Sequence, residues 1–408
     1  VNRTADAAAG ATLPGIATRA LERAGLGAIR DKVLAGERLT REDGRALYAN
    51  SDLVAIGALA NWVRERRHGA VAYYIVNQHI NYTNVCVAGC KFCAFYRTAK
   101  QKDAYVLSPS DVEARMRQHL DDPVREIHMV GGVNPTLPFD YYLDVIRAMK
   151  RVRPEVHVKA FTMVEIAAMA ENFDMPPATI LSRLKEAGLG SLPGGGAEIL
   201  TDHAHQVLFK GKIDHRAWIE VAKTAHRLGL KSNATMLYGH VETIEDRLDH
   251  MILLREAQDE TSGFMAFIPL SFHPENTRLA HLTKPSAAED LRQVAIGRLM
   301  LDNFPHIKAY WIMMTPRVAQ AALHFGADDL DGTVVTEEIF HRAGAVSPQK
   351  VAEARLVALI EEAGRVPVER DTLYNAVARE RDAARPADGG AVAHPPVRPA
   401  QEPADLRA

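Results

Sequence analysis

The chain of 408 residues is 47% hydrophobic and 25% charged, with 27 Gly, 21 Pro and 3 Cys, the composition of a globular protein long enough to bury a large core. Its 49 Lys and Arg against 51 Asp and Glu leave a formal net charge of −2, so no overall field draws it to nucleic acid or anionic lipid, and a small-molecule partner is expected. Three cysteines cannot close a disulfide framework, which excludes the disulfide-rich secreted class and points to a reducing compartment.

Residues 1–13 lack the basic start and apolar run of a secretory signal, so a cytoplasmic protein is expected. Over residues 15–68 apolar positions recur at helical spacing, with Asn50-Ser51-Asp52 as a start signal before the last helix, and the segment reads as two or three helices. Its longest mostly apolar stretch, 53–63, is far short of the ~20 residues that span a bilayer, so no membrane insertion is expected. From Val71 short β-rich runs alternate with longer helical ones. The runs are VAYYIVNQHIN, REIHMVGG, VHVKAFT, GLGSLPGGG, LKSNATMLYG, FMAFIPLSF and HIKAYWIM, with a weaker one at LHFGADDL. Helical patterns fall at 110–120, 141–152, 177–187, 214–228 and 244–258. This alternation predicts parallel strands joined by crossover helices, an α/β fold: a (β/α) barrel, complete or nearly so, over 70–345, behind a helical extension over 1–69. Chemistry is then expected in the loops after the strands, beginning at Asn81, Gly131, Thr162, Pro193, Tyr238 and Ser271. Residues 346–383 read as helical again. Residues 384–408, rich in Pro, Ala and Gly, read as a disordered tail.

All three cysteines, Cys86, Cys90 and Cys93, fall in HINYTNVCVAGCKFCAFYR, residues 79–97, directly after the first strand. With three and then two residues between them, three thiolates can wrap one face of an iron-sulfur cube. The fourth iron is left without a protein ligand because the chain has no fourth cysteine, and an open iron can bind a substrate. A structural zinc completed by His79 or His128 is the alternative, although zinc modules usually bring two separated ligand pairs. Plain buried thiols are the blandest reading.

Further along, Met129-Val130-Gly131-Gly132 ends the second strand, where two glycines let backbone carbonyls approach a ligand or simply make a tight turn. SLPGGGAE, residues 191–198, is not followed by a P-loop Lys-Ser/Thr, which weakens a nucleoside triphosphate reading. It is expected to pass close to a ligand and to aim Glu198 into the barrel mouth, the alternative being an exposed Glu on a turn. MLYGHVE, residues 236–242, sets Tyr238, His240 and Glu242 near one rim. Among 17 histidines, His79, His128 and His240 rank first for proton transfer because each sits near a strand end. Two-residue alternation puts Glu126, His128 and Val130 on one strand face without saying which face is inside. Arg278, after the sixth strand, suits a substrate carboxylate or a surface ion pair about equally.

The pattern C-x3-C-x-aromatic-C, with Phe92 as the aromatic, resembles the signature of the radical S-adenosylmethionine superfamily. The resemblance implies a [4Fe-4S] cluster held by Cys86, Cys90 and Cys93, with S-adenosyl-L-methionine chelated to the fourth iron. Reductive cleavage then gives methionine and a 5′-deoxyadenosyl radical, and Phe92 lies beside the adenine. Gly131 and Gly132 are similar to the superfamily's Gly-Gly-Glu motif, which receives the methionine amino group; Val133 stands in place of the Glu, so only backbone contacts carry over. Between about residues 39 and 374, the strings INYTNVC, CKFCAF, LPGGGAEI, AHRLGLKSNATMLYGH, REAQDETSGFMAFIPLSF, GADDLDGT and RDTLY look like the menaquinone and deazaflavin branch of that superfamily. That branch holds the aminofutalosine synthases, the cyclic dehypoxanthine futalosine synthases and the deazaflavin-forming synthase subunits. SNATMLYGHVE followed by FIPLSFHPEN most resembles the first of these. The resemblance implies a transferase of menaquinone biosynthesis that adds the radical to the enolpyruvyl double bond of 3-[(1-carboxyvinyl)oxy]benzoate. Rearrangement and loss of carboxylate then give 6-amino-6-deoxyfutalosine. It further implies Arg278, Lys284 and Tyr238 as substrate contacts, His128 or His240 for protons, and a flavodoxin or ferredoxin as electron donor. The other two members of the branch are the alternative activities, and a zinc-stabilised binding module is the non-enzymatic one.

Overall fold

The structure, a computed structural model, describes residues 12–209 and 211–378; the expected tail at 384–408 lies outside them. Among the described residues four helices precede the sheet, Gly15–Arg23, Gly27–Ala35, Arg41–Ala49 and Leu53–His68, where two or three were expected. The extra break comes at Gly25 and Gly36, both at positive φ (72° and 75°), which end the first two helices after nine residues each. Asp52 does cap the last of the four, its carboxylate accepting from Ala55 N at 2.9 Å.

Ten strands follow among the described residues: β1 (Val71–Ile75), β2 (Asn77–Asn81), β3 (Glu126–Val130), β4 (His157–Ala160), β5 (Leu189–Leu192), β6 (Lys231–Tyr238), β7 (Phe264–Ser271), β8 (His306–Ile307), β9 (Asp329–Gly332) and β10 (Val366–Glu369). β2 to β8 form one parallel sheet in sequence order, and β10-β1-β9 form a second. β1 and β2 are one extended run interrupted at Val76. Its upper half pairs with β3 and its lower half with β9. β9 in turn lies against β8 through an isolated bridge between Lys308 and Asp329, with Ala309 N donating to Asp329 O at 2.8 Å and Asp328 N to Ile307 O at 3.0 Å. The strands therefore return to their start, and the α/β barrel closes. Crossover helices such as Phe139–Val152 pack apolar faces on it, here Tyr142, Leu143, Val145, Ile146 and Met149. Each such side chain contributes roughly 1.5–3 kcal/mol on full burial.

Two expectations are corrected. In HIKAYWIM only His306–Ile307 is strand, and Trp311–Met314 is a short helix. A short apolar run whose residues are all buried does not distinguish strand from helix by period. The segment 346–383 is not helical throughout: the helix Glu353–Glu362 ends near Gly364 at φ 67°, and the chain continues into β10, which pairs with β1 in the register Val71 to Val366. β10 is an edge strand, where Pro367 is tolerated. Among the described residues no helix is long and apolar enough to cross a membrane.

Candidate active site

β2, NQHIN, is buried along its whole length although four of its five residues are polar. Buried polar groups need partners, and such a strand marks the polar interior of the barrel. Above it, at the C-terminal ends of the strands, lies a cavity of about 260 Å³ lined by Cys86, Cys90 and Cys93. The cysteine loop is stitched at both ends. Cys86 N donates to Arg97 O (3.0 Å), Arg97 N to Asn84 O (2.7 Å) and Val87 N to Val133 O (2.9 Å). The Arg97 guanidinium donates to the carbonyls of Ala94 and Tyr96, both at 2.8 Å, and so closes the turn around Cys93. Gly131 and Gly132 are fixed by this packing. A Cβ on Gly132 would lie 2.7 Å from the Val85 carbonyl carbon and 2.8 Å from Cys86 Cβ, and one on Gly131 2.6 Å from the Tyr82 ring. Only glycine lets the turn approach so closely.

The three thiols are free. Burial pushes the Cys90 thiol up to about 12 and the Cys93 thiol up to about 11, so they hold their protons at neutral pH until a metal replaces them. A single tetrahedral zinc with Zn–S bonds of about 2.3 Å would hold the sulfurs about 3.8 Å apart. Among the described residues, the one group of three such ligand atoms within 4.8 Å of one another is His68, His306 and Asp328, not the cysteines. Three free thiols on one loop, all lining one cavity, fit the face of a four-iron cluster.

Beside the cysteines, the Phe92 ring packs edge-on against Phe209 (5.8 Å, 88°). Lys212 Nζ stands 5.7 Å from the Phe92 centroid and 4.2 Å from that of Phe209 and pairs with the Glu198 carboxylate. Glu198 lines the cavity, as expected of it, but with a cation already bound to it, and its own backbone takes φ 43°. Deeper in the barrel His128 lines the cavity with His79, their rings stacked at 4.4 Å and 20°. The β2–β3 register sets them side by side. Glu126, 1% exposed, pairs with Lys159 at 2.7 Å and accepts from Thr372 Oγ1 at 2.8 Å. Asp331 pairs with Lys308 at 2.7 Å and Asp329 with Arg370 at 2.7 Å. GADDLDGT and RDTLY thus meet inside the barrel, the aspartates of one answered by cations that include the arginine of the other.

Four expected residues lie outside the cavity lining. Leu237 lines it, so by two-residue alternation Tyr238 faces the helices, where its hydroxyl donates to Asp290 Oδ1 at 2.7 Å. The His240 side chain is fully buried between Leu237 O (2.9 Å from Nε2) and the Glu242 carboxylate (3.0 Å from Nδ1), which makes it a brace for the loop after β6. Arg278 is exposed and donates to Gly89 O, so it clasps the cysteine loop from outside. Lys284 is half-buried in the loop before the helix Ala287–Met300, and burial lowers its pKa. The lysines that do line the cavity are Lys212 and Lys308, which nothing local in the sequence sets apart. Glu165 had a local signal: Thr162-x-x-Glu165 is a capping box, formed in the structure, which brings Glu165 Oε1 within 3.2 Å of Gly131 N. Burial pushes that carboxyl up to about 7.

In comparison with known proteins, residues 80–254 match the family model of the Radical SAM superfamily and residues 261–382 that of the CofH/MqnC C-terminal region. The chain is 46% identical over 353 residues to an aminodeoxyfutalosine synthase of Thermus thermophilus, a match covering 86% of this chain and 95% of that one. It is 37% identical over 350 residues to a cyclic dehypoxanthine futalosine synthase of Halalkalibacterium halodurans, covering 86% and 94%. Among solved structures, methylornithine synthase (PylB) superposes with a TM-score of 0.68 over 87% of this chain and 99% of that one at 17% identity, a likeness of fold alone.

Proposed function

The chain belongs to the radical SAM superfamily, and from that membership we propose that it makes 6-amino-6-deoxyfutalosine from S-adenosyl-L-methionine and 3-[(1-carboxyvinyl)oxy]benzoate. The observation that carries the reading is the cavity at the strand ends, which puts all three free cysteines, a Gly-Gly turn and two lysines around one space. The [4Fe-4S] cluster and S-adenosylmethionine of the family supply a 5′-deoxyadenosyl radical when bound. Cys86, Cys90 and Cys93 hold the cluster. Phe92, Glu198 and the backbone of Gly131 and Gly132 orient the cosubstrate, with Lys212 fixing the Glu198 carboxylate. Val130, Val164, Ile268, Leu270 and Phe272 give the cavity apolar walls that exclude water from a reactive radical. His128 is the proton-handling group of this reading in place of His240, and Lys212 and Lys308 are its cations in place of Arg278 and Lys284, because these residues line the space where substrate must sit.

A small acidic electron carrier of the flavodoxin or ferredoxin kind is the proposed reductant. The exposed Lys100, Lys102 and Arg278, in and around the cysteine loop, support it by charge. An oxygen-sensitive cluster argues for the reducing cytoplasm as its place of work.

The test is anaerobic reconstitution, reduction and addition of both substrates, followed by mass analysis. An adenosyl-containing adduct is the expected product. Free 5′-deoxyadenosine without adduct would transfer the chain to the cyclic synthase reaction, and a colourless preparation with one zinc per chain would end the cluster reading.

A further inference from the structure

The cavity has two polar ends. The cysteines, Lys212 and Glu198 form one; His79, His128 and Lys308 meet at the other. At this second end every fixed charge is already matched. Glu126 is held by Lys159, Asp329 by Arg370 and Asp331 by Lys308, while Glu337 accepts from the backbone N–H groups of Ile339 and Phe340 and pairs with His341. The histidine pair is left over. His79 is 7% exposed, and its Nε2 has no hydrogen-bond partner among the described residues. The nearest carboxylate to His128 is Glu126, with Oε1 4.0 Å from Nδ1. Burial holds both imidazoles below their ordinary pKa, so at neutral pH both are uncharged.

We infer that this end of the cavity is a carboxylate subsite: His79, His128 and Lys308 receive the ring carboxylate of an aromatic acid, and the histidine pair takes up one proton as it binds. The inference rests on the reaction proposed above. In that reaction the enolpyruvyl double bond has to lie at the cysteine end, so a benzoate bound between the apolar walls carries its ring carboxylate to the far end. The proton follows from charge balance. A carboxylate entering a buried region whose ion pairs already cancel would stand uncompensated, and the unpartnered imidazoles are the groups that can neutralise it. Lys308 would then share its ammonium between Asp331 and the ligand.

The experiment is calorimetry on the anaerobically reconstituted protein with two ligands, 3-[(1-carboxyvinyl)oxy]benzoate and 2-phenoxyacrylate, which lacks the ring carboxylate. The wild type is expected to prefer the first by about tenfold to a hundredfold, the range for a charged hydrogen-bonded group. Titrations in phosphate and in Tris at pH 7.5 should report uptake of close to one proton for the first ligand only. The double variant Lys308→Met/Asp331→Asn removes the ion pair as a unit, and Arg370, which also stands 4.0 Å from Asp331, keeps Asp329 as its partner. It should lose the preference while binding 2-phenoxyacrylate as before. A preference that survives in this variant, equal weakening of both ligands, or no net proton uptake by the wild type overturns the inference. If the wild type shows the preference and the uptake yet forms no adenosyl adduct, the subsite stands and the proposed reaction falls; an adduct without the preference removes the subsite alone.

Discussion

Replacing Gly132 with alanine is the sharpest probe of how the barrel holds its cysteines. The new methyl would sit 2.7 Å from the Val85 carbonyl carbon and 2.8 Å from Cys86 Cβ. Contacts between such atoms settle near 3.5–4.0 Å, so about 1 Å of movement is required. Nothing flexible can absorb it, because Val85 and Cys86 are held through backbone groups: Val85 N donates to Thr83 Oγ1 (3.1 Å), and Cys86 N donates to Arg97 O. Overpacking of this kind costs about 1–3 kcal/mol, and the movement falls on Cys86, a proposed cluster ligand, where a 1 Å misplacement is worth about a hundredfold in rate. Gly195→Ala is the control. Its methyl would meet only Thr162 Cγ2 at 3.4 Å, an ordinary contact. The assay is iron and sulfide content after anaerobic reconstitution, thermal melting, and adduct formation under identical conditions. Gly132→Ala should melt lower, retain less than half of the wild-type iron and lose about a hundredfold in activity, while Gly195→Ala should match the wild type in melting and iron. A Gly132→Ala protein with full iron and an unchanged melting temperature would refute the claim that the Gly-Gly turn is there to admit the cysteine loop.

Other expectations follow from particular contacts. Arg278→Ala should leave the Michaelis constant for the aromatic substrate within about twofold, because the side chain lies outside the cavity, but should speed loss of iron on chelator challenge by freeing Gly89 O; a large rise in that constant would put Arg278 back in the substrate site. Arg298→Met removes the only arginine paired with the fully buried Asp328 among the described residues, leaving His306 Nδ1 at 2.6 Å, His68 Nε2 at 3.5 Å and Ile307 N at 2.8 Å, and should lower stability to denaturant by about 3–5 kcal/mol, with no change counting against the pairing. Burial alone would raise the Glu242 pKa, but the hydrogen bond and charge of His240 and the charge of Arg247 bring it from 4.5 to about 2. This stabilisation, about 3 kcal/mol at most, is complete above pH 4.5 and is lost as pH falls from about 4.5 to about 2. Glu242→Gln should therefore show a smaller loss of stability than the wild type between pH 6 and pH 3 in urea titrations, and equal losses would remove Glu242 as a source of acid sensitivity.

Much of the site was legible because its chemistry is local. Three cysteines within eight residues, the Gly-Gly turn and the Gly-rich loop ending in Glu198 are short segments, and each lies beside the cavity where the strand-end rule puts it. What failed were inferences about direction. Tyr238 and His240 lie at the end of a strand as expected, but the residue beside Tyr238, Leu237, is the one that faces inward. Arg278 lies next to the cysteine loop but on its outer side. Lys212 and Lys308 carried no signal, since a lysine between strands looks the same in sequence whether it is solvated or buried in a pair.

By itself, then, the sequence determined the alternation of strand and helix that builds a parallel barrel, and the spacing of thiols that suits a cluster with one open iron. Both depend on neighbours a few residues apart. The tertiary structure alone decided which face of each strand looks into the barrel, that the barrel closes through β9, and that the buried carboxylates of β3 and β9 are answered by cations from β4 and from the residues just after β8 and β10. Those choices are made when strands far apart in the chain are brought into register, because a period of two defines two faces and only ring closure says which is inside.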